Sequence, residues 1–323
     1  MPRSVRQTVI LAKVETTYAT DAAPTNTTDA VLVRDFDISI EQQFAARPVI
    51  RSTYGADDQL PTVRRGKIKL VVDLQNSGTA GTVAPQWGDL LIGCATAETL
   101  SLTTPNRAEY DPISTSRKSL TIWAYKDGLL YKFVGCMGDA TFNIAAGEVP
   151  TIEFMFTGLV SVAPAAGANP VPTLTGWIRP VAASPANSSK VTLGCTYSAG
   201  AAVGGTAYDL KSLSLGLGND VQDVALMTTE TVDIYNRASK ASLVLDLTAA
   251  NEATQIANMY AGTTVCMFFV HGTTAGYRVG LFAPNGVITG MSTQRDGSNF
   301  LVGMELTLAP SGSGNNDFKV FLL

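Results

Sequence analysis

Residues 64–74, Arg64-Arg65-Gly66-Lys67-Ile68-Lys69-Leu70-Val71-Val72-Asp73-Leu74, return in altered form as residues 237–247, Arg237-Ala238-Ser239-Lys240-Ala241-Ser242-Leu243-Val244-Leu245-Asp246-Leu247. Arg64, Lys67, Leu70, Val71, Asp73 and Leu74 recur as Arg237, Lys240, Leu243, Val244, Asp246 and Leu247 at one constant spacing. Ile68, Leu70, Val72 and Leu74 alternate with Lys67, Lys69, Val71 and Asp73, the period-two pattern of a strand with one buried and one solvated face. A strand repeated at fixed spacing signals a duplicated module.

The neighbouring segments extend the repeat. Phe36, Ile38 and Ile40 alternate with Asp35, Asp37 and Ser39 upstream, and Leu213, Ser214 and Leu215 echo Ile38, Ser39 and Ile40. Downstream of each repeated strand the spacing predicts a short helix. Trp87, Leu90, Leu91 and Cys94 fall at i, i+3, i+4 and i+7 behind Pro85, and Ala253, Ile256, Ala257 and Tyr260 fall likewise before a C-capping Gly262. Each apolar stripe is expected to lie on a sheet. Leu120–Lys126 and Leu130–Val134 read as strands joined by Lys126-Asp127-Gly128, a strong hairpin signal. A closing strand at Ile152–Thr157 is mirrored by Val302–Leu308. The order strand, strand, helix, hairpin, strand occurs twice, which makes the chain all-β in two tandem modules, each with a short helix.

The expected domains are residues 1–160 and 191–323, joined by an extended connector over 161–190 that holds Pro164, Pro170, Pro172, Pro180 and Pro185. Residues 42–62 show no pattern and read as a long binding loop. The first thirty residues read as an arm or a frayed terminus.

The 323 residues are 46% hydrophobic and only 15% charged, which excludes a disordered chain. A net charge of −4 has the wrong sign for gripping nucleic-acid phosphates. The apolar run Val9–Ala12 ends at Lys13, too short for a secretory signal, and the run Val265–Val270 is far below a membrane span. A soluble cytosolic chain is expected. Cys94, Cys136, Cys195 and Cys266 are widely scattered, so zinc sites and disulfides are both unexpected and plain packing is the reading.

Little here suggests catalysis. His271, the lone histidine, precedes Gly272 at what reads as a hairpin tip. Gly66-Lys67 is followed by Ile68, so the hydroxyl a phosphate-binding loop needs for magnesium is missing. Asp35 and Asp37 share one strand face roughly 7 Å apart, but alternation explains them as the solvated side. Arg47, Arg51, Arg64, Arg65, Lys67 and Lys69 form the one basic concentration, which suits a subunit interface as well as phosphate. Neither enzyme chemistry, cofactor nor metal is expected.

Ala12-Lys13-Val14-Glu15-Thr16-Thr17-Tyr18-Ala19-Thr20, the run Gly78-Thr79-Ala80-Gly81-Thr82-Val83-Ala84-Pro85-Gln86-Trp87-Gly88-Asp89-Leu90-Leu91 and the Lys126–Gly128 hairpin together resemble the major tail (tail tube) proteins of long, non-contractile-tailed bacteriophages. The second half, with Ala283-Pro284-Asn285-Gly286 and Asp296-Gly297, resembles the second domain of the longer members. The resemblance implies two tandem β-sandwich domains, each with a short flanking helix, in subunits that close into rings and stack as a hollow tube for DNA, in a virion tail assembled in the host cytoplasm. The implied partners are the chain itself, a tape measure protein in the lumen, terminator and distal tail proteins, and DNA passing without tight binding; no membrane is implied.

Two modules per chain suggest a homotrimer with pseudo-sixfold symmetry, whose strand edges pair between neighbours. A lumen that releases DNA should be neutral or negative, so Asp35, Asp37, Asp73, Glu153 and Asp246 are the lumen candidates. Gln43, Arg47, Arg51, Tyr54, Asp57 and Asp58, with the N-terminal arm, are the candidates for contact between rings. The alternatives are another tail protein, such as a terminator or distal tail component, or a β-sandwich adhesin. A β-sandwich hydrolase is a remote third reading.

Overall fold

A computed structural model describes residues 4–79, 81–160 and 162–323. Met1, Ala80 and Ser161, which fall in the expected arm, the resembling glycine-rich run and the connector, lie outside the described residues. The first half contains β1 (Thr8–Val14), β2 (Ala30–Val31), β3 (Asp35–Arg47), β4 (Asp58–Asp73), α1 (Gly88–Ile92), β5 (Thr96–Ser101), β6 (Arg107–Pro112), β7 (Leu120–Lys126), β8 (Leu129–Ala145), β9 (Thr151–Leu159) and β10 (Ala165–Ala166). The second contains β11 (Val191–Leu193), β12 (Thr196–Ser198), β13 (Ala201–Val203), β14 (Thr206–Gly216), β15 (Asn219–Ala225), β16 (Glu230–Arg237), β17 (Lys240–Asp246), α2 (Ala249–Ala261), β18 (Thr264–His271), β19 (Val279–Asp296), β20 (Asn299–Leu308) and β21 (Lys319–Leu322). The fold is all-β with antiparallel pairing throughout.

One long sheet organises the molecule. Its strands run β3-β4-β9-β8-β14-β17-β20-β19, four from each half. The halves join inside this sheet, where β8 pairs with β14 from Thr141↔Gly216 to Ala145↔Ser212. Because successive side chains point to opposite faces, Ile68, Leu70, Val72, Phe142, Phe154, Leu213, Leu243 and Met304 all turn to one side and are buried.

A second layer covers that apolar side. In the first half it is β2-β1-β7 with the N-terminal part of β8, and in the second β11-β18 with the N-terminal part of β19, then β21-β6-β5. The strands β8 and β19 belong to both layers and carry bulges in their ladders where they cross. The main hydrophobic core runs through both halves, from Trp87 and Phe154 to Leu243 and Phe318.

The repeat is visible in the registers. Phe36↔Leu70 and Leu70↔Phe154 in the first half correspond to Leu213↔Leu243 and Leu243↔Met304 in the second. Phe36 and Ile38 are therefore the counterparts of Leu213 and Leu215, two residues away from the alignment drawn from sequence. A slip of two keeps every side chain on its own face, which is why the pattern alone does not reveal it.

Other expectations are corrected. Residues 42–62 are not a patternless loop: β3 and β4 stay paired out to Arg47↔Asp58, so only residues 48–57 are loop. The described part of the N-terminal segment is not an arm either, since β1 pairs along its full length with β7. The α1 stripe is buried as expected, with Trp87 donating its indole N–H to Gln75 O at 2.7 Å. The α2 stripe is not: Ala253, Ala257 and Tyr260 are exposed, while Gln255 faces inward near Tyr208. The β5–β6 excursion that follows α1 has no counterpart after α2, where the chain passes directly into β18.

Cys195 and Cys266 form a disulfide with Cα atoms 5.5 Å apart, contrary to the sequence reading. Pairing of β11 with β18, Leu193 opposite Met267, brings these distant positions together. Cys94 and Cys136 are free and buried, and burial drives both thiol pKa values well up. Asp127 (φ 44°) and Gly128 (φ 83°) make the expected two-residue hairpin turn between β7 and β8. Gly66 answers to packing: a Cβ there would run into the Phe133 ring. Residues 162–190 run extended along the first half, anchored by Trp177 donating to Ala30 O and by Ala183 donating to Glu148 O.

Candidate functional site

Two features of the surface arise from the long sheet: its polar face and a pair of hairpins that rise from its strands. The polar face is the other half of the alternation that builds the core. From β3 it takes Asp35, Asp37 and Ser39, from β4 Lys67, Lys69 and Asp73, and from β9 Thr151, Glu153 and Thr157. At the junction of the halves it is lined by small polar groups, with Ser214 Oγ 2.9 Å from Asn143 Oδ1, and it continues through Ser242, whose hydroxyl donates to Glu305 at 2.7 Å. A shallow groove follows the junction between Asp35, Lys69, Glu153, Asn143, Ser212 and Ser242.

Charge on this face is paired with an acidic surplus. Lys69 Nζ is 2.9 Å from Glu153 and Lys67 Nζ is 2.7 Å from Glu41. The Glu153 hydrogen bond raises the Lys69 pKa. Arg34 lies 3.3 Å from Asp73, whose carboxyl is pushed up by burial against the pull of that guanidinium. Asp35, Asp37, Glu305 and Asp246 have no salt bridge in the chain among the described residues.

All five acidic candidates from the sequence stand on this one face. Asp35, Asp37, Asp73 and Glu153 share the β3-β4-β9 end, while Asp246 lies on β17 opposite Asp209, with β8 and β14 between. Asp37 Oδ1 accepts the Ile38 backbone N–H at 2.9 Å. That N–H therefore points away from β4, along the free edge of the sheet.

The hairpins rise from equivalent places. The first is the outer part of β3–β4, and the second is β15–β16, which sequence reading missed. Gln42↔Arg64 in one corresponds to Asn219↔Arg237 in the other, and both ladders shift register just beyond this pair. The second hairpin folds back onto the first half of its own chain. Val232 and Ile234 pack with Ala95, Val134, Met137 and Leu159. Asn219 donates its amide to Cys94 O and Gly138 O, and Arg117 Nη2 is 2.7 Å from Asp233. Arg65, 4% exposed, reaches Asp223 and Glu230, each at 2.8 Å.

The Glu15–Tyr18 segment takes part in this contact. Glu15 is buried and accepts from Ala19 N, Ser119 Oγ, Thr121 Oγ1 and Gly135 N, which fixes the turn that presents Tyr18. Tyr18 in turn bonds the Val232 backbone through its hydroxyl. The first hairpin instead projects. Gln43, Arg47, Arg51, Tyr54, Asp57 and Asp58 all sit on it and are exposed, as are Phe44, Ile50 and Leu60.

His271, placed at a hairpin tip by sequence, is a buried strand end. Its Nε2 lies 2.9 Å from Val181 O and its Nδ1 3.0 Å from Ser188 Oγ, and burial lowers its pKa. It tethers the connector. Among the described residues, no group of three or more His, Cys, Asp or Glu is placed to hold a metal ion, and no helix is long and apolar enough to cross a membrane.

A family model described as phage tail tube protein matches residues 6–310. The chain belongs to the phage tail tube protein family. It is thus a structural component of a phage tail. The match spans both halves, so the long sheet, the two hairpins and the connector all fall within the family's extent. Comparison with curated proteins returns no match.

Proposed function

We propose that three copies of this tail tube protein close into a ring through the two free edges of the long sheet, and that stacked rings form the conduit for DNA ejection. The observation that carries this reading is the β8–β14 junction. In the repeat, β8 corresponds to β19 and β14 to β3, and β19 and β3 are the free edges of the sheet. The pairing that joins the halves within one chain is therefore available between chains. Transferring the register places Asp37 opposite Gln294 of the next copy, as Ser214 stands opposite Asn143. The backbone agrees: Leu217 donates its N–H to Ala140 O across the junction, and its counterpart Ile40 would donate to the counterpart carbonyl at Met291.

Geometry favours three copies. Strands about 4.8 Å apart and tilted by about 40° close roughly two dozen strands into a barrel near 48 Å across the backbone. With side chains lining it, that barrel leaves room for a duplex roughly 20 Å wide. Two copies would give only about 32 Å by the same relation and leave no clearance. The apolar side of the sheet is filled by the core, so the polar face with its acidic surplus is the one left to line the hole. Asp35, Asp37, Asp73, Glu153 and Asp246 then repel phosphates and let DNA slide.

The tip of the first hairpin, from Arg47 to Asp58 with Arg51, Tyr54 and Asp57, is the contact to the adjacent ring, and Gln43 belongs to its base. The tape measure, terminator and distal tail proteins are the further partners of such a tube, assembled in the host cytoplasm. The test is a cysteine pair, Asp37→Cys with Gln294→Cys, in assembled protein. Oxidation is expected to join three chains and no more; chains that stay single would overturn the seam.

A further inference from the structure

We propose that the base of the first hairpin docks on the second half of the next copy in the same ring, at the C-terminal end of α2, repeating the contact that the second hairpin makes inside the chain. The inference rests on the ring reading above and goes further, since edge pairing alone does not say where the hairpin lies.

The two hairpins occupy equivalent places in the two halves. β15–β16 rises from the β14–β17 pair, crosses the junction to β8 and packs where α1 ends and where β8 and β9 meet. The first hairpin rises from the corresponding pair, β3–β4, and bends at the corresponding register shift. If β3 pairs with the neighbour's β19, the hairpin crosses that seam in the same direction. It then reaches the counterparts of Met137, Leu159 and Ala95, which the registers and helix caps identify as Val287, Ala309 and Thr264.

Both surfaces are open in the single chain. Phe44, counterpart of the packed Val221, is 56% exposed, and Tyr260 at the end of α2 is 82% exposed. An aromatic on each side, unburied by its own chain, is what a protein interface supplies. Gln42 takes the place of Asn219. In the single chain it donates its amide to Gln43 O and Val63 O at 3.0 and 3.3 Å; across the seam it would reach the carbonyls of Thr263 and Ile288. The ion pairs of the second hairpin are not carried over, since Ala238 stands where the first half has Arg65. The transferred contact is chiefly apolar.

The test cross-links Phe44→Cys with Val287→Cys in assembled protein, using a short bismaleimide. Phe44→Cys with Tyr260→Cys serves as a second pair, and the Asp37→Cys, Gln294→Cys seam pair is run in parallel. Docking within the ring predicts products that stop at the same number of chains as the seam pair. A ladder running past that number would place the contact between rings and overturn the proposal. So would absence of cross-linking in both hairpin pairs while the seam pair reacts. If the seam pair itself fails, the ring reading falls with it.

Discussion

Replacing Ile40 by proline separates folding from assembly. Ile40 is 39% exposed, so little packing is lost. By the alternation that points the Ile38 N–H outward, the Ile40 N–H also faces the free edge of β3. Proline is tolerated on an edge strand in that orientation, and Ser39 before it is already extended. The single chain is therefore expected to fold, with its melting temperature within a few degrees of wild type. At the seam the variant loses one backbone hydrogen bond worth about 1 kcal/mol and leaves a carbonyl of the partner strand unpaired at about 1–2 kcal/mol more. A loss near 2 kcal/mol is about 30-fold per seam, and three seams compound to roughly four orders of magnitude per ring. Sedimentation velocity and negative-stain microscopy of the purified variant, beside Ile40→Ala, give the readout. Ile40→Ala keeps its N–H and should build tubes, whereas Ile40→Pro should remain as folded single chains. Tubes from Ile40→Pro at wild-type concentration would refute the assignment of β3 as the ring-closing edge.

Asp73→Lys with Asp246→Lys is expected to leave tubes assembled and to slow genome delivery, because added cations on the polar face hold phosphates; unchanged infection by the double variant would count against that face lining the lumen. Deleting residues 44–60 removes the projecting hairpin and should give folded chains that fail to polymerise, which microscopy would contradict by finding tubes of normal length. Glu109 accepts from Tyr197, Arg107 and Lys319, and these donors outweigh burial and bring its pKa below the usual carboxyl value. Its stabilisation is complete above the unfolded pKa of about 4.3 and is lost as pH falls through the lower folded value. Thermal melts below about pH 4 should therefore show the drop reduced in Glu109→Gln, and identical pH curves for the two proteins would exclude the effect. His271 has the opposite charge logic: its folded pKa is lowered, so acidification below about 6.5 should cost stability in the wild type and not in His271→Gln.

The elements legible in the sequence are those whose two faces meet different surroundings. β4 and β17 alternate because one face meets the core and the other solvent, so their repeat can be read directly. The α1 stripe is legible for the same reason. The first hairpin is illegible because residues such as Gln42–Arg47 are solvated on both faces along most of their length, and the second because its buried alternation is confined to Val232 and Ile234, too short a run to read. The α2 stripe misleads in an instructive way. Its spacing locates the helix, but the face it marks has nothing over it in the single chain, and the inward position belongs to Gln255. Cys195 and Cys266 are joined only by the pairing of β11 and β18, a long-range register that local spacing does not encode. Within the polar face, the acidic positions follow from alternation, whereas the merging of both halves into one sheet follows from β8 meeting β14.

The number of chains in one ring tests the account most directly, because in the proposed ring three duplicated sheets take the place of six single modules. Native mass measurement of rings released from assembled tubes, together with an end-on image average, is predicted to give three times the 34.0 kDa chain mass around an open axis. Rings of six whole chains, or assemblies without a central hole, would contradict it.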